Sequence, residues 1–149
     1  MDYAVGRLIS ILYRKNQVYL NIVLREYAVT SAESPFLLYL YKRDGISQED
    51  LSAYLVIDKA STARAIQSLT EKGYVYREKD ETDKRRNRVY LTDKARSARR
   101  GIDRKLRRWS RFLTEDLCPE VSDTVYTALE RMVEKVEHTD FRKKWGDKQ

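Results

Sequence analysis

Apolar residues at Val5, Leu8, Ile9, Leu12, Tyr19, Leu20, Val23 and Tyr27 recur at three- and four-residue spacing, broken only by Asn16, and predict one long amphipathic helix over 5–27. Ser34 followed by Pro35 reads as an N-cap and a proline at the first helical position, opening a helix through Phe36, Leu37, Leu40 and Tyr41 that ends at Gly45. Ser47-Gln48-Glu49-Asp50 has capping-box spacing and starts a short helix with Leu51 and Leu55 inward. Asp58 caps the next helix, over 59–72, which stops at Gly73, the residue best able to take the left-handed conformation past a helix end. These two helices are joined by a very short turn.

After Gly73 the period changes from helical to two. "YVYRE" and "RVYLT" both alternate, and the polar tract 80–87 lies between them, so they read as two strands of a hairpin. A helix over 93–117 follows, with Ile102, Leu106, Trp109 and Leu113 on one face, and then a last helix through Val121, Val125, Leu129, Met132, Val133 and Val136. The expected fold is mainly α with a small β-hairpin wing (α+β): a winged helix-turn-helix over 31–92, flanked by an N-terminal dimerisation helix (1–30) and C-terminal dimerisation helices (93–149). In such a fold the second helix of the pair enters the DNA major groove and the hairpin tip reaches alongside.

Composition narrows the partners. The 149 residues carry 30 Lys and Arg against 23 Asp and Glu, a net charge of +7 with a pI near 9.5, which favours polyanions and leaves DNA, RNA and anionic membranes open. The longest apolar runs, such as "SPFLLYLY", are too short to span a bilayer, and the N-terminus has no basic-then-apolar signal, so a cytoplasmic protein is expected. One cysteine, Cys118, excludes an internal disulfide framework, and one histidine, His138, leaves no Cys/His cluster for a structural metal. The scattered glycines build neither a P-loop nor a dinucleotide fingerprint. No nucleophile-and-base pair or carboxylate cluster stands at catalytic spacing, so the reading contains no catalytic residue, no enzyme activity, no metal and no cofactor.

The stretch "ISQEDLSAYLVIDKASTARAIQSLTEKGYVYREKDETDKRRNRVYLT", residues 46–92, resembles the multiple-antibiotic-resistance regulator (MarR) family. The helix start "DKAST-R", the "L-EKG-V-R" run into the hairpin, and Asp80-x-x-Asp83-x-Arg85 followed by Leu91-Thr92 carry the resemblance; Ala95 stands where the family usually has glycine. Lys59, Ser61 and Arg64 fall on the first turn and a half of the recognition helix, where side chains reach base edges and phosphates, while Ile66 and Leu69 face inward. Arg64 is the best base reader. With Thr62, Gln67 and Ser68 on the same helix and Lys84, Arg85, Arg86 and Arg88 on the wing, these form the expected DNA-binding set. The resemblance implies that Arg85 enters the minor groove and that Asp83 orients Arg64 through an ion pair.

It also implies a homodimer of intertwined terminal helices that binds a palindromic double-stranded operator, usually as a repressor. A small aromatic acid is the implied effector, and Tyr13 and Tyr39 are placed as residues lining its crevice, although core packing explains the two tyrosines equally well. A winged-helix module acting through protein contacts or in plasmid replication is the alternative. The base-rich helix after the wing, with Arg96, Arg100, Arg104, Arg107 and Arg111 along one face, reads as a solvated face rather than a direct DNA contact, with Arg96 to Arg100, nearest the wing, able to strengthen the phosphate field. Cys118 reads as a semi-buried small hydrophobe and His138 as a surface residue near a helix end.

Overall fold

The computed structural model describes residues 4–146. The elements follow in the order α1 (Val5–Val23), a 3-10 turn (Arg25–Tyr27), α2 (Ser34–Leu40), β1 (Ile46–Ser47), α3 (Gln48–Leu55), α4 (Lys59–Glu71), β2 (Val75–Lys79), β3 (Asn87–Leu91), α5 (Asp93–Thr114), α6 (Pro119–Glu137) and α7 (Phe141–Trp145). This is the mainly helical fold with a small sheet that the sequence implies.

Local chemistry sets most boundaries. The Ser47 hydroxyl accepts from the Asp50 amide at 3.1 Å and the Asp58 carboxylate from the Ser61 amide at 2.8 Å, satisfying N–H groups at the starts of α3 and α4 that have no helical partner. Gly73 (φ 75) and Gly45 (φ 75) take the left-handed backbone past α4 and before β1. The long first helix breaks earlier than its periodicity implies, at Val23, because the chain tightens into the 3-10 turn and then a left-handed Ala28 (φ 54). Ser34 lies inside α2 rather than capping it: Glu33 holds the N-cap position, and Pro35 sits one residue further in than expected.

The sheet holds one strand more than the hairpin. Its order is β1-β3-β2, all antiparallel, with Ile46 opposite Val89 in one pair and Val75 opposite Leu91 in the other. Two residues are too few to show alternation, and β1 exists only because β3 offers it a free edge.

Two compact units are present, one through Trp109 and one from Ser110 onward. The core of the first is Leu20, Leu24, Phe36, Leu37, Leu40, Leu51, Ile66, Leu69, Tyr74, Val89 and Ile102, each at most 5% exposed. The end of α1 belongs to this core rather than standing apart: Tyr19 stacks on Trp109 with centroids 4.9 Å apart and donates to the Lys105 carbonyl at 2.9 Å. The other face of α1 is wet, with Val5, Leu8, Ile9 and Leu12 all exposed. In the second unit α6 exposes Val121, Val125, Leu129, Met132, Val133 and Val136 along one stripe. Cys118 is exposed, not semi-buried as its size and hydrophobicity imply, because it holds the extended N-cap position outside the first turn of α6. His138 caps the other end of α6 from the surface, as expected.

Candidate nucleic-acid interface

The short turn between α3 and α4 is closed by the Ile57 amide donating to the Ser52 carbonyl at 3.1 Å and the Ser52 hydroxyl donating to the Ile57 carbonyl at 2.6 Å. It fixes how α4 leaves the core. Ala65, Ile66 and Leu69 point inward, and the opposite face presents Lys59, Arg64 and Gln67 to solvent. The Arg64 guanidinium donates to the Ser61 hydroxyl at 2.9 Å, one turn earlier on the same face. Gln67 is bridged: its amide nitrogen donates to Glu71 at 2.8 Å and its oxygen accepts from Arg77 on β2. The Asp58 carboxyl stays below its usual range because the amide and hydroxyl of Ser61 donate to it, which keeps the cap charged at the start of the helix.

Two expected contacts of α4 face the wrong way. Thr62 is fully buried and donates its hydroxyl to the Asp58 carbonyl at 2.9 Å. Ser68 donates to Glu33 Oε1 at 2.5 Å. Both lie on the inner half of the helix, the one because its hydroxyl closes back on the preceding turn, the other because an acid lies beneath it. Glu33 is 5% exposed and also accepts from Lys72 Nζ at 2.7 and 2.8 Å and from the Thr30 amide at 2.9 Å. Burial pushes the pKa of Glu33 up, but the bonds from Lys72, Ser68 and Thr30 and the Lys72 charge more than offset it, leaving a carboxylate below its usual range. No periodicity could have found this cluster, in which Glu33 and Lys72 are 39 residues apart.

The wing is organised by Asp80, not Asp83. Asp80 is 3% exposed and accepts from the Thr82 amide (2.8 Å) and hydroxyl (2.7 Å), the Asp83 amide (3.1 Å) and Arg88 Nε (2.5 Å). The Thr82 hydroxyl and amide, then the Asp83 amide and Arg88, hold its carboxyl far below the ordinary range. Asp83 instead accepts from the Arg85 amide at 3.0 Å, shaping the tip. The implied Asp83–Arg64 ion pair is not formed: the carboxylate is spent on the local turn and the guanidinium on Ser61. Asp-x-Thr, the sequence of an Asx turn, was the available signal for Asp80.

Of the four wing cations, two are engaged. Arg88 pairs with Asp80 and donates to the Gly45 carbonyl at 2.8 Å, bracing the strand. Arg86 reaches Ser47 Oγ at 2.7 Å and Asp50 at 2.9 Å, tying the wing to the start of α3. Lys84 and Arg85 are exposed at the tip, and among the described residues their side chains have no intramolecular partner.

Tyr13 and Tyr39 do not share a site. Tyr13 lines a crevice of about 520 Å³ with Phe36, Pro35, Ile57, Glu33, Ser61 and Arg64 among its walls. Tyr39 packs its ring on Tyr54, centroids 4.1 Å apart, outside that crevice, because it lies one turn further along α2 and faces α3. Among the described residues no cluster of His, Cys, Asp or Glu could hold a metal, and no helix is long and apolar enough to cross a membrane.

Comparison with known proteins agrees with this geometry. The MarR family model matches residues 29–86. The HTH-type transcriptional regulator BilQ of Clostridioides difficile (strain CD3) is 27% identical over 126 residues, spanning 85% of this chain and 82% of that protein. Among solved structures, a MarR protein from Peptoclostridium difficile DA00132 superposes with a TM-score of 0.86 at 29% identity, over 92% of this chain and 90% of the other. A MarR transcriptional regulator from Methanosarcina mazei Go1 superposes with a TM-score of 0.86 at 40% identity, over 88% of this chain and 94% of the other. The helix pair, the braced wing and these likenesses together place the chain in the MarR family of winged helix-turn-helix, DNA-binding transcriptional regulators.

Proposed function

We propose that the protein binds a palindromic operator as a homodimer, acts as a repressor in the compartment that holds the DNA, and is released by a small ligand. The observation that carries the DNA reading is the pairing of an exposed Lys59 and Arg64 on α4 with a tip, Lys84 and Arg85, whose cations have nothing to do within the fold. An unspent ammonium and guanidinium on a protruding turn suit a groove lined by phosphate. Ser61 and Gln67 flank Arg64 and complete the reading face, whereas Thr62, Ser68, Arg86 and Arg88 serve the fold. The exposed apolar stripes of α1 and α6 support the dimer, since faces of that size are costly to leave wet. The crevice walled by Tyr13, Phe36 and Arg64 suits a small aromatic acid, its ring on the apolar wall and its charge toward the guanidinium.

Footprinting on the DNA upstream of the protein's own coding sequence, followed by titration of variants, tests this. Arg64→Ala should cost about 1–3 kcal/mol on the protected sequence and much less on scrambled duplex, as expected for a base reader. Arg85→Ala should weaken both and flatten the salt dependence by about one unit of slope. Absence of any protected palindrome would favour a winged module working through protein contacts or in plasmid replication.

A further inference from the structure

The charge of this chain is concentrated in one helix. Residues 93–114, the extent of α5, hold nine Lys and Arg against two Asp, a surplus of seven that equals the net charge of the whole protein; the other 127 residues carry 21 bases and 21 acids. The wing and the recognition helix therefore do not account for the basic pI.

Within α5 the charge has a face. At about 100° per residue, Arg96, Arg100, Arg104, Arg107 and Arg108 fall in one stripe, and Ala95, Ala98, Ile102, Leu106 and Trp109 fall on the opposite side, where Ala95 and Ile102 are buried in the core. All five arginines are exposed. Arg96 pairs with Asp44 at 2.9 Å, while Arg100, Arg104, Arg107 and Arg108 have no intramolecular partner among the described residues. Asp103 lies beside the stripe, facing Arg99 at 3.9 Å. Like charges at i,i+4, as in the series 96, 100, 104 and 108, cost a helix a few tenths of a kcal/mol per pair. A merely solvated face is normally built with alternating signs, as α6 is with Glu130, Arg131, Glu134 and Lys135. Asp93, Ser97 and Arg111 fall in the same arc, and every base in it is Arg, the cation whose planar fork suits phosphate oxygens. Members of the i,i+4 series 96, 100, 104 and 108 are about 6 Å apart along the axis, close to two phosphate steps of one DNA strand.

We propose that this stripe is a second phosphate-binding surface, which holds the backbone of duplex DNA outside the segment gripped by α4 and the wing. It is sequence-independent, since exposed guanidinium groups aligned along a straight helix reach phosphates and have no groove to enter. Its effect is to raise affinity for long DNA and to keep the regulator near its site.

The test compares the wild-type chain with Arg100→Gln/Arg104→Gln/Arg107→Gln/Arg108→Gln on mixed-sequence duplexes of about 20 and about 60 base pairs over a range of salt, the shorter length being about two helical turns. Glutamine keeps helix propensity and removes like-charge repulsion, so the variant should melt no lower than wild type and sediment identically. On the long duplex its salt slope should be shallower by about three to four units for each protomer whose stripe is engaged, so that doubling the salt weakens it roughly ten-fold less than wild type per engaged protomer. On the short duplex the two should be nearly equal. Equal slopes on the long duplex overturn the proposal, as does an equal loss on both lengths, which would make the stripe part of the primary contact. So does a wild-type chain whose stripe-dependent binding is seen only with vesicles of phosphatidylglycerol, which would assign the face to a lipid surface.

Discussion

Removing Lys72 should expose how much the fold relies on the buried pair beneath α4. Glu33 is 7% exposed at its side chain and Lys72 28%, so the acid is the partner that cannot escape to water. Lys72→Met leaves a buried carboxylate with only the Ser68 hydroxyl and the Thr30 amide as donors. Breaking a fully buried pair this way costs about 3–5 kcal/mol; because Lys72 is more than a quarter exposed and water can follow it, about 2–3 kcal/mol is expected. Glu33→Gln should cost less, about 1 kcal/mol, since the amide can still accept from Ser68 and Lys72 can turn outward. In the double variant the two losses should not add, because the orphaned charge is gone. The pH response is the sharper test. In the wild type the folded-state pKa of Glu33 lies below the ordinary glutamate value of 4.5, so its contribution is present above that value and lost as pH falls through the lower folded one. In Lys72→Met burial and the Ser68 and Thr30 bonds remain while the lowering by Lys72 is lost, so the folded pKa should rise and the gain of stability with rising pH should shrink or turn to a loss. Urea unfolding followed by circular dichroism, at fixed protomer concentration because of the expected dimer, measures both. A Lys72→Met loss under about 0.5 kcal/mol with an unchanged pH slope would show that the pair is a surface contact, of the kind that contributes little.

Three further outcomes follow from single contacts. A Cβ on Gly101 would lie 1.9 Å from Tyr27 Oη and 3.0 Å from Cζ, so Gly101→Ala should destabilise by about 1–3 kcal/mol despite its better helix propensity, and adding Tyr27→Phe should recover most of that in the same melts. Val56, a β-branched residue at φ 54 and 91% exposed in the turn before α4, holds a strained backbone with no packing in return, so Val56→Gly should raise stability by about 0.5–1 kcal/mol by denaturant titration. Asp80→Ala should speed hydrogen exchange at the Thr82 and Asp83 amides; because the Asp80 carboxyl is held far below the usual range, wild-type protection there is present above the unfolded pKa and should be lost only as pH falls well beneath it.

The sequence by itself determined what short-range chemistry determines. Ser47 and Asp58 cap α3 and α4, Gly73 ends α4, and the change from helical period to alternation marks the hairpin; each depends on atoms within four or five residues, so each was legible. Helical period also identified which residues of α4 lie inward, Ile66 and Leu69, and which outward, Arg64. Period alone did not say how wide the buried face is, and so Thr62 and Ser68 were read as DNA contacts when α4 turns them toward its own preceding turn and toward Glu33. The wing shows the same limit. Asp80 and Asp83 are alike in sequence, but only Asp80 meets Arg88 once β3 folds back, and Arg86 finds Asp50 only because β1 has paired with β3. Tyr13 and Tyr39, read as one ligand site, are separated by the way α2 packs. Contacts between residues some 30 to 50 positions apart, such as Glu33 with Lys72 or Asp44 with Arg96, are chosen by packing many elements at once. No local pattern encodes that choice, so the tertiary structure alone settles which charges brace the fold and which are left over for a partner.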